Sequence, residues 1–339
     1  MKNLRRIINN FSRSNILVVG DLILDEYIWG DVERISPEAP VPVVWAKRRT
    51  FVPGGAANVA NNLRTLGAKV AIAGVVGSDN NRDTILSGLR KNHIDIRGVF
   101  SEPGRHTTLK SRIFARHQQV VRVDWEHINS IKKKTKNKII NFISKNIKKF
   151  DAIIIEDYGK GVIDYELLNC LMPLKKHLKK KIITVDPKED HFEMYDGVTA
   201  ITPNRKEAEN AIRYLKMKDR RNLFKFYKDK LFTVNDIKQA GFAILKHLKL
   251  ESLLVTLGEQ GMWLFENNGS EKHIPTVAQE VFDVSGAGDT TVATFTLALA
   301  SGAGKLEAAY LANFAAGIVV GKVGTATLSR KELIERIER

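Results

Sequence analysis

The segment from Asp283 to Asp289, DVSGAGD, places two glycines and a carboxylate directly before a long apolar helical run at 290–300. Glycines at 286 and 288 permit tight turns that bring backbone N–H groups close to a ligand. At a helix N-terminus such N–H groups favour anions, phosphate among them. A carboxylate beside a phosphate makes sense if Asp289 deprotonates a hydroxyl that attacks the phosphoryl group. The alternative is a glycine-rich turn in which Asp289 only caps the helix.

A second glycine-rich turn, Gly54-Gly55 followed by Asn58, opens another helical stretch. It could cradle a phosphate, or bring the backbone close to sugar hydroxyls while the Asn58 amide donates and accepts. Polar residues also follow four predicted strands, and a fifth set precedes a predicted helix: Asp21 and Asp25; Glu156 to Gly161; Asp186 and Lys188; Thr256, Gly258 and Gly261; and, before the helix, Asn204 and Glu207. Each alone is more typical of a turn or a cap. Because open α/β sheets bind ligands at the carboxyl ends of their strands, together they predict one active-site rim.

Short runs rich in β-branched residues alternate with amphipathic helical patterns along most of the chain. The predicted strands are 16–20, 70–76, 152–156, 181–186 and 252–256, and the predicted helices are 56–66, 81–91, 165–177 and 236–248. This alternation predicts an α/β fold with a mainly parallel sheet covered by helices on both faces. Residues 41–45 and 107–124 instead alternate apolar and polar side chains, which predicts antiparallel strands that form a lid. No internal repeat or linker is evident, so we expect 1–339 to be a single domain.

The composition is that of a folded protein rather than a disordered one. Among 339 residues, 54 Lys and Arg against 38 Asp and Glu give a net charge of +16, with 43% hydrophobic residues. No run approaches the roughly 20 apolar residues of a membrane span, and residues 1–14 lack the apolar core of a signal peptide. We therefore expect a cytoplasmic protein with no membrane partner. The single cysteine, Cys170, excludes a disulfide framework and is predicted to be a core residue.

The excess of positive charge raises the hypothesis of a nucleic-acid partner. The bases cluster at 132–149, 175–181 and 213–230, and the third cluster includes Phe224, Phe226 and Tyr227. Because these clusters lie on separate predicted helices or loops, without a nucleic-acid motif beside them, we interpret them as solvated surfaces. We expect no nucleic-acid partner. The eight histidines show no metal-ligand spacing, so no protein-held metal is expected either.

Three motifs, in this order along the chain, resemble the ribokinase-type (PfkB) carbohydrate kinase family: Gly54-Gly55-x-x-Asn58, Asn204-x-x-Glu207 and Asp283-x-x-Gly286-Ala287-Gly288-Asp289. The likeness runs over nearly the whole chain. It implies a Rossmann-like ribokinase fold with a small antiparallel β-lid, built from residues near 31–53 and 105–124. In the family this lid closes over the sugar and often forms a dimer contact, so a homodimer through the β-lid is expected. The resemblance also implies ATP and Mg²⁺ as cofactors and permits a monovalent cation near Asp283.

The roles that the resemblance implies divide between the two substrates. Asp289 would be the catalytic base, and the backbone of Gly286, Ala287 and Gly288 would be the anion hole for the transferred phosphoryl group. On the nucleotide side, Asn204 and Glu207 would organise Mg²⁺ and the ATP phosphates, and Lys160 would lie near the phosphates. Asn313 and Gly317 would line the adenine pocket, and Thr256, Gly258 and Gly261 would also bind the nucleotide. On the sugar side would lie Asp25, Gly54, Gly55 and Asn58. One departure is Val284, where the family commonly has Thr.

Residues 20–25, 34–43 and 317–325 resemble the heptose-phosphate kinases within this family, and 34–43 is the most specific of the three. This resemblance implies phosphorylation of the anomeric hydroxyl of D-glycero-β-D-manno-heptose 7-phosphate to the 1,7-bisphosphate, for ADP-heptose and lipopolysaccharide core synthesis. A sugar phosphate as substrate requires a basic partner. The candidates are Arg112, Arg116, Arg122 and Lys188, and the sequence does not choose among them.

The chain departs from the family pattern in two further features, and two alternative functions stay open. Residues 213–236 are longer and more basic than the family pattern, which indicates an insertion. The H-x-G-H motif of a nucleotidyltransferase is absent, which predicts a stand-alone kinase. The same scaffold could instead phosphorylate fructose, a fructose phosphate, ribose or a nucleoside. A non-catalytic sugar- or nucleic-acid-binding regulator is the second alternative, and the presence of Asp289, Gly286 and Gly288 argues against it.

Overall fold

The structure is a computed structural model that describes residues 2–116, 118–177, 181–218, 224, 226, 228–278 and 280–338. Its strands are β1 (Asn15–Gly20), β2 (Leu22–Ile35), β3 (Pro42–Gly55), β4 (Lys69–Val76), β5 (Asp95–Ser101), β6 (Thr108–Ala115), β7 (Gln118–Trp125), β8 (Ala152–Glu156), β9 (Ile182–Asp186), β10 (Ala200–Ile201), β11 (Ser252–Thr256), β12 (Met262–Glu266) and β13 (Glu271–Ile274). Its helices are α1 (Lys2–Asn10), α2 (Ala56–Thr65), α3 (Asn80–Lys91), α4 (Lys133–Asn146), α5 (Tyr165–His177), α6 (Arg205–Lys218), α7 (Val234–His247), α8 (Ala287–Ala300), α9 (Lys305–Val319) and α10 (Arg330–Glu338).

Nine of the described strands form the main sheet, in the order β13-β12-β11-β10-β9-β8-β1-β4-β5. All neighbours from β11 to β5 are parallel, whereas β12 and β13 pair antiparallel at one edge. Successive side chains of a strand point to opposite faces. On β8, Ile154 packs with α2, α8 and α9 on one face, while Ile153 packs with α4, α5 and α7 on the other. The predicted α/β architecture, a mainly parallel sheet covered on both faces, is confirmed.

A second sheet contains four strands in the order β3-β2-β6-β7. The β2–β3 and β6–β7 pairs are antiparallel, as predicted for 41–45 and 107–124. The central β2–β6 pair is parallel, which local alternation cannot reveal because the two strands are distant in the sequence. Strands β2 and β3 are each 14 residues long, so the sheet starts at Leu22 rather than near residue 31.

The prediction that Cys170 is a core residue is wrong, because its side chain is exposed. Helix α5 buries Leu167, Leu168 and Leu171, and Cys170 falls beside that apolar stripe rather than on it. Apolar residues surround this position in the sequence, so the pattern alone did not separate the stripe from its edge.

The basic stretches have the structures expected of surface segments where they are described. Residues 132–149 are mostly the amphipathic helix α4, which buries Ile139 and Ile143. In 213–230, Phe224 and Phe226 are each 3% exposed, so their rings are not available to stack on bases. Tyr227, Lys179 and Lys180 lie outside the described residues. In the part of the chain that the structure describes, none of the helices has the length and apolar character that crossing a bilayer requires.

Candidate active site

Asp289 lies in the first turn of α8 and is 4% exposed. Its Oδ2 accepts a hydrogen bond from Asn58 Nδ2 at 2.5 Å, and its Oδ1 accepts one from the Tyr158 hydroxyl at 3.0 Å. Asn58 belongs to α2 and Tyr158 follows β8, so three distant parts of the chain meet at one carboxylate. The N-cap of α8 is Gly286, without a side-chain cap hydrogen bond. The capping alternative therefore does not account for Asp289.

Burial raises the pKa of the Asp289 carboxyl to about 6. The hydrogen bonds from Asn58 and Tyr158 favour the charged form and oppose this rise, whereas the nearby charge of Asp25 adds to it. A carboxyl with a pKa near 6 is ionised at neutral pH and is more basic than an exposed aspartate. Those are the properties of a general base.

In the loop before Asp289, the backbone passes close to side chains from other segments of the protein. Gly286 has φ +79°, and a Cβ there would lie 2.9 Å from both Asn58 Nδ2 and the Thr325 side chain, so the position requires glycine. Gly288, at the helix N-terminus, is exposed. The Ala287 N–H already donates to Val284 O at 3.2 Å, so it must exchange that bond before it can donate to a phosphate. The helix N-terminus still favours an anion here.

Asp283 stabilises the same loop. Its Oδ1 accepts a hydrogen bond from the Ser285 N–H at 2.9 Å, and its Oδ2 accepts one from the Gly324 N–H at 3.1 Å. The carboxylate therefore ties the Gly-rich loop to the segment that follows α9.

A cavity of about 580 Å³ opens beside the N-terminus of α8. Its lining includes five of the predicted nucleotide residues and two of the glycine-rich loop: Thr256, Gly258, Gly261, Asn313, Gly317, Ala287 and Gly288. Most of the remaining lining is small or apolar, such as Ala316 and Val320, and Val284 also belongs to it. A cavity of this size and character can bury most of a nucleotide.

Asn204 and Glu207 form a reciprocal cap at the start of α6. Asn204 Oδ1 accepts from the Glu207 N–H at 2.9 Å, and Glu207 Oε2 accepts from the Asn204 N–H at 2.8 Å. Asn204 also pairs with Thr256 in an isolated β-bridge, which places the motif beside the cavity.

Three acidic side chains from different elements converge at Asp289. Glu156, Asp186 and Asp289 each place a carboxylate oxygen within 4.8 Å of the other two. Among the described residues, neither oxygen of the fully buried Glu156 has a hydrogen-bond partner. Burial, followed by the charges of neighbouring carboxylates, raises the pKa values of Glu156 and Asp186 well above their usual range.

This cluster fits a divalent cation. Carboxylate oxygens are the ligands that Mg²⁺ prefers, and a cation would satisfy the unpartnered oxygens of Glu156 and offset the mutual repulsion. Sequence spacing predicted no protein-held metal because that expectation rested on the spacing of the histidines alone. The cluster depends on β8, β9 and α8 meeting in space, which no local spacing shows.

The predicted sugar residues adjoin the other side of Asp289. Asp25 on β2 is 6% exposed, and its Oδ1 accepts from Arg112 Nη1 on β6 at 2.6 Å. A Cβ at Gly54 would lie 2.5 Å from Asp25 Oδ2, so β3 approaches this carboxylate as closely as only glycine allows. Asp289 is thus next to Gly288, which lines the cavity. It also bonds Asn58 and lies near Asp25, two of the predicted sugar residues.

The other predicted basic groups have partners of their own. Lys160 Nζ donates to Glu126 Oε1 at 2.7 Å, on the segment that follows β7. Arg122 Nε donates to Asp124 Oδ1 at 2.9 Å, and its side chain is half-exposed. Arg116 lies 3.8 Å from Asp31, and Lys188 lies 3.1 Å from Glu189. Of the four candidates for the substrate phosphate, Arg112 is the one that contacts a predicted sugar residue among those described.

Sequence reasoning placed Tyr158, Glu156 and Asp186 on the active-site rim without a role. Their positions at the ends of β8 and β9 were the available signal. Their contacts with Asp289 depend on strand order and helix packing, so they emerge only from the fold.

A buried carboxylate beside a helix N-terminus and a nucleotide-sized cavity is typical of enzymes that transfer a phosphoryl group to a hydroxyl. A family model described as "pfkB family carbohydrate kinase" matches residues 13–332. The chain therefore belongs to the pfkB family of carbohydrate kinases and is a phosphotransferase.

Similar proteins include the bifunctional protein HldE of Geobacter metallireducens, 44% identical over 333 residues, which are 98% of this chain and 65% of that protein. The bifunctional protein HldE of Wolinella succinogenes is 41% identical over 329 residues, 97% of this chain and 66% of that protein. The chain thus spans about 65% of the length of the curated relatives it matches.

Solved structures show that the fold is ribokinase-like. The ribokinase of Arabidopsis thaliana complexed with ribose and ATP has a TM-score of 0.72 and 20% identity, over 96% of this chain and 99% of that chain. Phosphofructokinase-2 from Escherichia coli in complex with substrates and products has a TM-score of 0.74 and 17% identity, over 96% and 98%.

Proposed function

We propose that the chain transfers the γ-phosphoryl group of ATP to the anomeric hydroxyl of D-glycero-β-D-manno-heptose 7-phosphate, for ADP-heptose and lipopolysaccharide core synthesis. The observation that carries this proposal is the buried Asp289, which adjoins both the nucleotide-sized cavity and the Asp25 side. The choice of a heptose phosphate is supported by the resemblance of 34–43 to heptose-phosphate kinases. Similarity to HldE proteins along 97–98% of the chain supports it further.

In this reaction Asp289 takes the proton of the anomeric hydroxyl as that oxygen attacks the γ-phosphorus. The bond between the γ-phosphorus and the bridging oxygen breaks, and ADP leaves. The N–H groups at Gly286–Gly288 and the dipole of α8 stabilise the negative charge of the transferred group. The cavity lined by Thr256, Asn313 and Gly317 would hold the nucleotide.

A bound Mg²⁺ supplies positive charge that offsets the charge of the nucleotide phosphates. We propose that Glu156, which is fully buried, and Asp186, which is half-buried, would hold it, since their carboxylate oxygens lie within 4.8 Å of each other. Asn204 and Glu207 lie beside the cavity and contribute there, as the resemblance implies. Asp289 remains oriented by its two hydrogen bonds for the proton transfer.

Arg112 is the basic group that we propose for the phosphate of the substrate. Its side chain is 16% exposed, lies over the Tyr27 ring and uses one nitrogen for Asp25. Because a guanidinium has five N–H donors, it can hold Asp25 and a phosphate oxygen together.

The four-stranded sheet would act as the lid and exclude water, which otherwise competes as the phosphoryl acceptor. Its face opposite Asp25 exposes Val121 and Val123 at 45% and 39%, with Trp125 nearby at 56%. Exposed apolar patches of this kind mark interfaces. We therefore propose that a second copy of the chain packs there. Analytical ultracentrifugation of the protein and of Val123→Lys tests this, and a monomeric unmodified protein would contradict it.

The substrate is tested by coupled ADP release with heptose 7-phosphate, fructose 6-phosphate and ribose as acceptors. We expect kcat/KM for heptose 7-phosphate to exceed that for ribose by at least about a hundredfold, since a site that pairs with a substrate phosphate rejects a sugar without one. It should also exceed that for fructose 6-phosphate. Phosphorus NMR of the product should show a new phosphate on C1. A free pentose that outperforms the heptose phosphate would contradict the proposed substrate and leave the kinase class intact.

A further inference from the structure

The Tyr158 hydroxyl contacts the Asp289 carboxylate but has no role in the proposed phosphoryl transfer described above. It donates to Asp289 Oδ1 at 3.0 Å, opposite the bond from Asn58 to Oδ2. Two donors on different oxygens fix the rotation of a carboxylate, whereas a single donor leaves it free to turn about its last bond. Tyr158 therefore supplies the second constraint on the orientation of Asp289.

The loop that carries Tyr158 is held by a buried carboxylate below it. Asp21, 1% exposed, accepts three backbone N–H groups of this loop. Its Oδ2 accepts from Tyr158 and Lys160, both at 3.0 Å, and its Oδ1 accepts from Val162 at 3.2 Å. A carboxylate that accepts hydrogen bonds from the N–H groups of Tyr158, Lys160 and Val162 holds the loop in one conformation. The position of the Tyr158 hydroxyl is thus set from the end of β1.

The surroundings of Tyr158 restrict its hydroxyl to one role. Its hydrogen-bond partner, Asp289 Oδ1, is a carboxylate oxygen that can only accept, so the Tyr158 hydroxyl is the donor of this bond. A hydroxyl that directs its proton at Asp289 does not take the proton of the sugar hydroxyl. It cannot replace Asp289 as the base.

We propose that Tyr158 is a positioning residue that orients the Asp289 carboxylate toward the acceptor hydroxyl, with Asp21 holding the loop that presents it. The inference rests on the proposed function, in which Asp289 is the base. Its physical reason is that proton transfer requires the accepting oxygen to stand within hydrogen-bond reach of the hydroxyl, and small misplacements of reacting groups cost large factors in rate.

The test is a double-mutant cycle with Tyr158→Phe and Asp289→Asn, measured as kcat and KM for both substrates. Tyr158→Phe removes only the hydroxyl, and we expect kcat to fall by about 10- to 100-fold with both KM values kept within about twofold. Because Tyr158 acts through Asp289, the same change should lower the residual rate of Asp289→Asn by less than about twofold. A positioning role therefore predicts that the effects of the two substitutions on kcat are not additive. It also predicts that Tyr158→Phe changes kcat and not KM.

The matched control is Tyr195→Phe. Tyr195 is a fully buried tyrosine whose hydroxyl also donates to a carboxylate, but to Asp157 Oδ2, at 2.7 Å, rather than to Asp289. It should lower the thermal midpoint as Tyr158→Phe does, with kcat changed by less than about threefold. Equal loss of kcat in the two variants would show a merely structural effect and overturn the inference.

Other outcomes separate this inference from the proposal beneath it. Unchanged kcat in Tyr158→Phe, together with an inactive Asp289→Asn, would overturn the inference alone. A raised KM for the sugar with kcat kept would make Tyr158 a substrate contact and would also overturn it. Near-normal turnover of Asp289→Asn would overturn both.

Discussion

The cavity proposed to hold the nucleotide meets the region proposed to hold the acceptor sugar, here called the acceptor side, at Asp289, and the two are built from different kinds of residues. The cavity is lined mostly by small or apolar residues, including Gly258, Gly261 and Ala316. The acceptor side contains ion pairs between strands of the lid: Asp25 on β2 with Arg112 on β6, and Asp124 on β7 with Lys110 on β6. Backbone and shape define the first region, and charged side chains define the second.

This difference indicates how each region contributes to the reaction. A cavity formed by glycines and helix backbone needs little rearrangement to receive a ligand beyond the exchange of the Ala287 N–H bond, so its geometry acts mainly on the rate. Paired charges must exchange or share partners when a charged sugar enters, because a buried ion that loses its partner is costly. We therefore expect changes beside the cavity to lower kcat, and changes among the ion pairs to alter KM for the sugar phosphate.

Among the substitutions that distinguish the two regions, Gly286→Ala is expected to have the largest effect on the kinetics. A Cβ at this position would press on Asn58 and Thr325, and the backbone would remain at a positive φ, so the loop must move. We expect kcat to fall by about a hundredfold with KM for the sugar phosphate largely kept, since a shift of about 1 Å misplaces reacting groups. Steady-state kinetics checks this.

Gly302→Ala is the matched control for that substitution. Gly302 also has a positive φ, +92°, but nothing lies within 4 Å of its added Cβ, at the opposite end of α8. It should cost stability without changing kcat. An equal fall in kcat for both variants would show that the contact with Asn58 is irrelevant.

The acceptor side should respond to Arg112→Gln. Loss of the guanidinium leaves Asp25 without its ion pair and removes the proposed phosphate ligand, so KM for the sugar phosphate should rise by about 30-fold. KM for ATP should stay within about twofold. Arg122→Gln, a half-exposed arginine on β7, should change neither value by more than about threefold. An unchanged sugar KM in Arg112→Gln would contradict the assigned role.

Glu156→Gln tests the cation at the junction of the two regions. We expect Mn²⁺ affinity, measured calorimetrically without nucleotide, to fall by about 10-fold because one of three converging carboxylates becomes neutral. Glu209→Gln should leave it unchanged, because Glu209 is also buried but pairs with Lys230 and the Leu231 N–H. Equal Mn²⁺ affinity in all three proteins would remove Glu156 as a ligand.

The smallest effect is the pH dependence of kcat. Burial raises the pKa of Asp289 to about 6, and the base works only when it is deprotonated. Activity should therefore be full above that value and fall as the pH drops through about 6, where half of it remains. A pH–rate profile whose acid limb lies near pH 4 would show that Asp289 does not control the reaction.

The sequence predicted local structure better than it predicted contacts. Strands β8 and β11 and helix α5 have the bounds that apolar periodicity indicated, because burial on one or both faces controls both pattern and structure. The parallel β2–β6 pair and the exposed side of Cys170 were not predicted. Both depend on packing between segments distant in the chain.

The same division holds within the site. The glycine-rich loop, Asn58 and the strand-end acids could be found as motifs, since backbone turns and strand ends leave local signals. The convergence of Glu156, Asp186 and Asp289, and the hydrogen bond from Tyr158, could not, because they depend on strand order and on how α8 packs.

The most direct test of the account is the turnover of Asp289→Asn, measured with ATP and heptose 7-phosphate beside a direct measurement of ATP affinity. We expect kcat to fall by at least about a thousandfold, roughly 4 kcal/mol of barrier, with ATP affinity within about twofold of the unmodified protein. Turnover close to normal would contradict the claim that this carboxylate takes the proton of the acceptor.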